Sequence, residues 1–422
     1  MRALLEESFR AAVAAADPAR ILAPALPAPP KGRTFVAAVG KAAASMAAAL
    51  EANWPADAAL EGIALTRYRH AVPTRRIRVI EAGHPVPDAA GEAGAREILA
   101  AAGALGADDL LIALISGGGS SLLALPLEGL SMDDLKTVTA QLLKSGAPIE
   151  DINTVRKHLS AIQGGRLAAA CRAPVRALII SDVTGDAPTH IASGPCAPDP
   201  TSFDDAVAVL AKHRVAPPAA IAAFLARGAA GAVPETPKPG TPRLAHAENR
   251  VIATAHRSLE AAAETFRAAG VTPAILGDTV TGEARDVAKV MAALVREIRG
   301  YRAPFAPPVA LISGGECTVT IAGEGGRGGR CSEFLLALAV ALDAIEGVHA
   351  LAADTDGIDG SEDNAGAVLV PDSLARARAL GLDPARSLAA HDSYGFFAAL
   401  GDLLVTGPTY TNVNDYRAIL VG

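Results

Sequence analysis

The residues best suited to chemistry in this chain lie where short apolar runs give way to glycine, serine, lysine or aspartate. The plainest case is Leu110–Leu125, LLIALISGGGSSLLAL. A short apolar run bounded by glycine reads as a strand buried on both faces of a parallel sheet. The turn after it, Ser116, Gly117, Gly118, Gly119, Ser120 and Ser121, lets backbone N–H groups approach a ligand closely. A helix starting there would favour an anion. The motif ALISGG returns at Ala310–Gly315, followed by Glu316, so the expectation is two such turns facing one anionic ligand in a cleft.

Positive charge and carboxylates occur in comparable places. Lys41 follows Gly40 between a strand and an alanine-rich helix, a phosphate-site arrangement without the GxxxxGK[ST] of a Walker A loop. Its plain structural alternative is a solvated lysine. Ile152–Leu167 reads as one helix carrying Arg156, Lys157 and Arg166, with Asn153 as its N-cap. Adjacent Arg156 and Lys157 cannot share a face, so one points to a ligand and the other to solvent. Asp182 and Asp186, in SDVTGDAPTHIASGP with Ser193, follow another apolar strand. Carboxylates at that edge suit Mg²⁺, whose remaining ligands are waters and substrate phosphates; an Asx turn with a helix cap is the alternative. Arg327 and Arg330 lie in GEGGRGGR, and Asp354, Asp356 and Asp359 in DTDGIDGSEDNAG.

Several familiar motifs fail on spacing. Ile358 and Ala365 stand where an EF-hand needs oxygen ligands. Leu122 occupies the second glycine of a G-x-S-x-G elbow, and no HExxH or paired Cys/His cluster suggests zinc. Gly323, Gly325 and Gly328 match GxGxxG literally, with Asp343 about twenty positions on. The match falls late in the chain, and its arginines suit phosphate better than a close-packed dinucleotide turn. His84 and Asp88, in GHPVPDAAG, serve equally well as turn residues.

Composition narrows the classes. A chain of 422 residues is long for one domain. Half of it is hydrophobic and a fifth charged, enough for a sizeable core, and the net charge of −7 argues against nucleic-acid binding. The four cysteines form no CxxC pair, which suits a reduced cytoplasmic protein. The first residues, with Glu6 and Glu7, read as an amphipathic helix rather than a signal peptide; no run is long enough to span a bilayer. Strands alternate with helices in both halves, which makes the chain α/β. The proline-rich Ala229–Leu244 is the best boundary, giving domains 1–240 and 241–422. Glycine loops, cations and acidic strand ends together are the parts that phosphoryl transfer needs.

Eight ordered motifs carry a more specific likeness: AVGKAAASM, GHPVPD, LISGGGSSLL, INTVRKHLSAIQGGRLA, SDVTGDAPTHIASGP, LISGGECTV, GRGGRCSEF and AADTDGIDG. Together they resemble the glycerate 2-kinases with a MOFRL domain, whose members are often named hydroxypyruvate reductases. The resemblance implies ATP- and Mg²⁺-dependent phosphorylation of D-glycerate to 2-phosphoglycerate. It further implies two α/β domains, the larger Rossmann-like with a mostly parallel sheet, and an active site in the interdomain cleft. The last residues could pack back on the first domain, and a homodimer is left open.

The resemblance places the motif lysine on Lys41, the arginines on Arg327 and Arg330, and the aspartates on Asp182, Asp186, Asp354, Asp356 and Asp359. The expected mechanism has Ser116–Ser121, Arg156, Ser193, Gly314, Gly315 and Glu316 binding substrate or nucleotide. Lys41, Arg327 and Arg330 neutralise charge on the transferring phosphoryl, Asp182 takes the hydroxyl proton, and the other aspartates hold Mg²⁺. Cys331 stands where the family pattern has asparagine, and Tyr410 where it has glycine. NAD(P)H-dependent hydroxypyruvate reduction and a non-catalytic binding protein are the rival readings.

Overall fold

The computed structural model describes residues 1–321, 325–343 and 346–422. Gly323 of the literal GxGxxG lies outside them, as do Ala322 and Ala344, where the sequence pattern predicts the ends of a strand starting at Thr318 and of a helix starting at Ser332. The chain divides into an inserted unit, Ile21–Ile252, and a flanking unit made of Met1–Arg20 and Ala253–Gly422. The division therefore falls at 252/253 rather than 240/241, and the first helix belongs with the C-terminal half.

The inserted unit is built on six strands: β1 (Thr34–Val39), β2 (Leu60–Arg67), β3 (Ile77–Ala82), β4 (Leu110–Ile115), β5 (Val175–Ile180) and β6 (Ala247–Ala253). Their order is β3-β2-β1-β4-β5-β6, and the pairings from β3 across to β5 are parallel. This is the Rossmann order, which reverses between β1 and β4 and opens a crevice at the carboxyl ends of those strands. Every residue of β1 and β4 is buried, as their unbroken apolar character requires. Phe35, Ala37 and Val39 share one core face with Leu111, Ala113 and Ile115. Capping boxes at Ser131/Asp134 and Ser202/Asp205 start two of the surrounding helices, each satisfying N–H groups that the helix leaves without partners.

The flanking unit holds a second six-stranded sheet. Its strands are β7 (Thr272–Gly277), β9 (Val309–Gly315), β11 (Val348–Asp354), β12 (Gly366–Leu369), β13 (Leu403–Leu404) and β14 (Asp415–Val421); β8 (Gly282–Glu283) and β10 (Cys317–Thr318) form a separate pair. The order is β13-β12-β11-β14-β9-β7, antiparallel except for β7 with β9. Alternate residues go to opposite faces. Val309, Leu311, Ala350, Ala352 and Ile419 join one core, and Ala310, Ile312, Leu351, Ala353 and Leu420 the other.

The second core is closed partly by the N-terminal helix Arg2–Ala14, through Leu5, Phe9 and Ala12. Phe9 is 2% exposed, a burial worth roughly 1.5–3 kcal/mol, and Ser8 Oγ lies 2.7 Å from the Tyr416 hydroxyl. The terminal strand β14 sits inside this sheet, where an excursion onto the first domain had been allowed for. No helix among the described residues is long and apolar enough to cross a membrane.

Candidate functional site

The crevice between β1 and β4 gathers the first group of expected residues. Gly40 has φ +119, and a Cβ there would meet Ser116 Oγ at 2.2 Å, so only glycine lets the two strand ends approach. Across this contact the Lys41 N–H donates to Gly117 O at 2.8 Å, and the Ala42 N–H to Ser116 Oγ at 3.0 Å. Ser116 is fully buried, so it ties β1 to β4 rather than facing a ligand. Gly118, at φ +79, starts the helix Gly119–Leu122. That helix is a single turn, so the expected dipole contribution is small. A Cβ on Gly118 would lie 2.9 Å from His84 Nε2 and 3.3 Å from Lys41 Cγ; both side chains run over this glycine.

Arg156 enters from the helix Ile149–Leu159. The expected single helix is broken at Ser160–Gly165, where Gly164 and Gly165 have φ +59 and +81, and it resumes as Arg166–Ala170. Asn153 is inside the first helix and not its N-cap. Its Nδ2 donates to His190 O at 3.2 Å, and its Oδ1 accepts from Ser193 Oγ at 3.1 Å and from Arg156 Nη1 at 3.4 Å. Burial pushes Arg156 down to about 10, and no carboxylate lies within ion-pairing distance of it among the described residues. With Ser120, Ser121, Thr139 and Gln163 it lines a small pocket. A half-buried cation without a counter-charge, beside hydroxyls, has the chemistry to attract an anion.

Lys157 was expected on a solvated face if Arg156 met the ligand. Instead it is fully buried and donates to Asp199 Oδ1 at 2.6 Å. Burial alone would raise the Asp199 carboxyl, but the Lys157 ammonium and the Thr201 hydroxyl and N–H hold it below the usual range. The stability this contributes is present above the unfolded-state value and lost as pH falls through the lowered one. Asp199→Asn should therefore be less stable than wild type at neutral pH, with the gap closing in acid. Urea unfolding across pH reads it; a pH-independent gap would contradict the pairing.

Ser193 is fully buried and reaches the pocket only through Ser120, whose Oγ is 2.8 Å away. Ala192, Ser193 and Gly194 all have positive φ, +51, +57 and +57, and a Cβ on Gly119 would meet Ala192 Cβ at 2.5 Å. Two non-glycine residues in this region carry strain that must be held by surrounding structure. Asp182 and Asp186 follow β5, next to β4. Asp186, at φ +53, donates its N–H to Val183 O at 3.3 Å, and its carboxylate has no hydrogen bond or ion pair among the described residues.

The second group lies in the flanking unit, and here the structure departs from expectation. Gly314 and Gly315 are within β9, not in a turn after it, and a Cβ on Gly315 would strike the Val280 backbone at 2.3 Å. The second SGG is therefore a close-packing device and not a copy of the first. Strand register sets Asp354 opposite Asp415, and Asp415 opposite Gly315. Arg330, at the start of the helix Arg330–Leu342, bonds Asp415 at 2.6 Å and Asp354 at 2.7 Å and pairs with Glu316 at 3.3 Å. Despite burial, those carboxylates raise its guanidinium well above the usual range. Arg330 is thus an organiser of carboxylates. Arg327 is exposed, stacks over Tyr394 at 4.9 Å, and has no ion pair among the described residues.

Asp359 is a helix cap. Its oxygens accept from the Cys331 N–H at 2.9 Å, the Ser332 N–H at 2.8 Å and Ser332 Oγ at 2.6 Å, and burial raises its carboxyl. A Cβ on Gly329 would meet Asp359 Oδ1 at 2.2 Å, and one on Gly328 would meet Ser393 Oγ at 2.2 Å. Close packing thus accounts for these glycines without a dinucleotide. Asp354 Oδ1 accepts from the Asp356 N–H, and Asp356 Oδ1 from Ile358 N–H. Among the described residues no three His, Cys, Asp or Glu side chains form a metal-binding group. Cys331 is buried and its thiol is raised by burial.

Tyr410 adopts a left-handed backbone of the kind that favours glycine, at φ +58. Tyr410→Gly should leave stability unchanged or raise it by up to about 1 kcal/mol, the left-handed cost offset by glycine's chain entropy. Tyr410→Val should destabilise, being β-branched. Chemical unfolding of both variants tests this, and a clear loss in the glycine variant would contradict it.

The fold is that of a two-unit α/β protein, with the glycine turn and Lys41 at a Rossmann switch point. Its closest sequence features match known proteins over the whole length. The family described as "Domain of unknown function (DUF4147)" matches residues 4–226, and the MOFRL family residues 309–415. An Agrobacterium vitis protein named "Putative hydroxypyruvate reductase" is 52% identical over 100% of this chain and 94% of its own. The Pyrococcus horikoshii "Glycerate 2-kinase" is 42% identical over 93% of this chain and 88% of its own. A crystal structure of glycerate kinase from Thermotoga maritima superposes with a TM-score of 0.86 at 37% identity, covering 99% of each chain. The chain belongs to the glycerate 2-kinase family with a MOFRL domain.

Proposed function

We propose that this protein is an enzyme that transfers a phosphoryl group from ATP to the 2-hydroxyl of D-glycerate. The observation that carries the reading is Arg156: a half-buried cation with no carboxylate partner among the described residues, lining a pocket with Ser120 and Ser121. It suits the glycerate carboxylate. Lys41 neutralises charge that builds on the phosphoryl oxygens, the main contribution a protein makes to this reaction. Arg330 holds Asp354 and Asp415 in place, and Asp182 takes the proton of the 2-hydroxyl.

Mg²⁺ needs only one or two carboxylates when nucleotide phosphates complete its shell. Asp186 fits that role, with neither oxygen engaged among the described residues. Asp354 and Asp356 already bond Arg330 and loop N–H groups, and Asp359 is fully used as a cap. When bound, the ion would neutralise phosphate charge. The cytoplasm is the proposed location, a reading supported by four free, buried thiols.

Purified protein given D-glycerate, ATP and Mg²⁺ should form ADP and 2-phosphoglycerate, and should leave NADH and NADPH unoxidised with hydroxypyruvate. Nucleotide oxidation would favour the reductase, silence in both assays the non-catalytic reading. A 3-phosphoglycerate product would refute the regiochemistry.

A further inference from the structure

A chain of buried hydrogen bonds behind the pocket has only one possible direction. Asn153 is 1% exposed, and its Nδ2 faces the His190 carbonyl at 3.2 Å. A carbonyl only accepts, so the amide orientation is fixed and Oδ1 must face Ser193. Ser193 therefore donates its single proton to Asn153. It has none left for Ser120, 2.8 Å away, so Ser120 must be the donor in that contact. Toward the pocket, Ser120 Oγ can offer lone pairs alone. Its backbone is held as well, since Gln163 Nε2 donates to Ser120 O at 2.8 Å.

We propose that this relay makes Ser120 a specificity-determining residue, which accepts a hydrogen bond from the ligand hydroxyl that is not phosphorylated and rejects an acceptor-only group there. The inference rests on the reading of Arg156 as the glycerate carboxylate anchor. With the 2-hydroxyl assigned to Asp182, the 3-hydroxyl is the one Ser120 reads. Binding C3 this way leaves the 2-hydroxyl as the group presented for transfer. Asn153 and Ser193 are positioning residues: both act through Ser120. The strained backbone at Ala192 and Ser193 is consistent with a hydroxyl fixed for function.

Tartronate, which carries an acceptor-only carboxylate in place of the hydroxymethyl group, is the probe. Calorimetric titration of the full-length protein should show tartronate binding at least about tenfold more weakly than D-glycerate, the penalty for an unpaired polar group. In Ser193→Ala the Ser120 proton is released and can turn to the ligand, so the ratio of the two dissociation constants should fall about fivefold or more. Ser193→Gly, which suits the positive φ, should show the same fall, guarding against loss of fold. A merely structural role would weaken both ligands together and leave the ratio alone. An unchanged ratio in both folded variants overturns the inference while leaving the kinase reading intact. Failure of wild type to bind D-glycerate overturns both.

Discussion

Lys41→Ala lowers the rate of ADP formation by about 10²–10³-fold, the range for losing one preorganised charge from a phosphoryl or oxyanion site, while stability changes by less than about 1 kcal/mol. The reasoning is geometric. The backbone of Lys41 makes the structural contact, through its N–H to Gly117 O, and alanine keeps that bond. The side chain runs over Gly118, where no side chain of its own could intervene. The substitution therefore removes the ammonium and leaves the β1–β4 junction as it was. Lys41→Arg keeps the charge but changes its reach and hydrogen-bond geometry, so a partial loss is expected. Steady-state kinetics with urea unfolding of the same preparations checks both halves. Near-normal turnover in the alanine variant would take Lys41 out of the mechanism.

Asp415→Ala should destabilise the flanking unit by about 3–5 kcal/mol, the usual cost of leaving a buried charge without its partner. Arg417 is 1% exposed and bonds Asp415 Oδ2 at 2.6 Å. Its other contacts are neutral: Gly314 O at 3.0 Å, Cys317 Sγ at 3.1 Å and the face of Phe334 at 5.5 Å. Arg330 retains Asp354 and Glu316, so the loss falls chiefly on Arg417. Replacing both partners, as in Asp415→Asn with Arg417→Met, should recover more than half of the loss, because no charge is then left buried alone. Equal losses in the single and double variants would show that packing of β14, and not charge, is what Asp415 supplies.

Much of the inserted unit was legible because its signals are local. The apolar runs at Thr34–Val39 and Leu110–Ile115 are strands within a residue of where the sequence puts them, and the glycines after them turn as their neighbours demand. The Rossmann-like sheet was an implication of the family resemblance, and the contact of the Lys41 N–H with Gly117 O is visible only in the structure. What the sequence hid depends on partners distant in the chain. Asn153 looks like a cap because it opens an apparent helix, and nothing local says that His190 and Ser193 surround it. The terminal strand was missed because DYRAILV begins with charges; Asp415 and Arg417 are buried only because they neutralise each other and Arg330. Asp359 looked like a metal ligand in an acidic loop, yet its partners are N–H groups at the start of a helix nearly thirty residues earlier. Two identical SGG triplets diverged because β14 carries the ladder through Gly315, while β4 ends before its glycines.

The split of the flanking unit has a consequence for synthesis. Leu5, Phe9 and Ala12 are synthesised before the inserted unit, yet the surfaces that cover them, Leu259, Phe266 and Tyr416, come after the whole of it. At ordinary elongation rates the interval is on the order of tens of seconds. By its end the inserted unit has all its own strands and can fold, while the amphipathic helix that precedes it still has its apolar stripe uncovered. The nascent chain thus carries a temporary sticky segment that only residues beyond Ile252 retire, a window in which holding chaperones would find it.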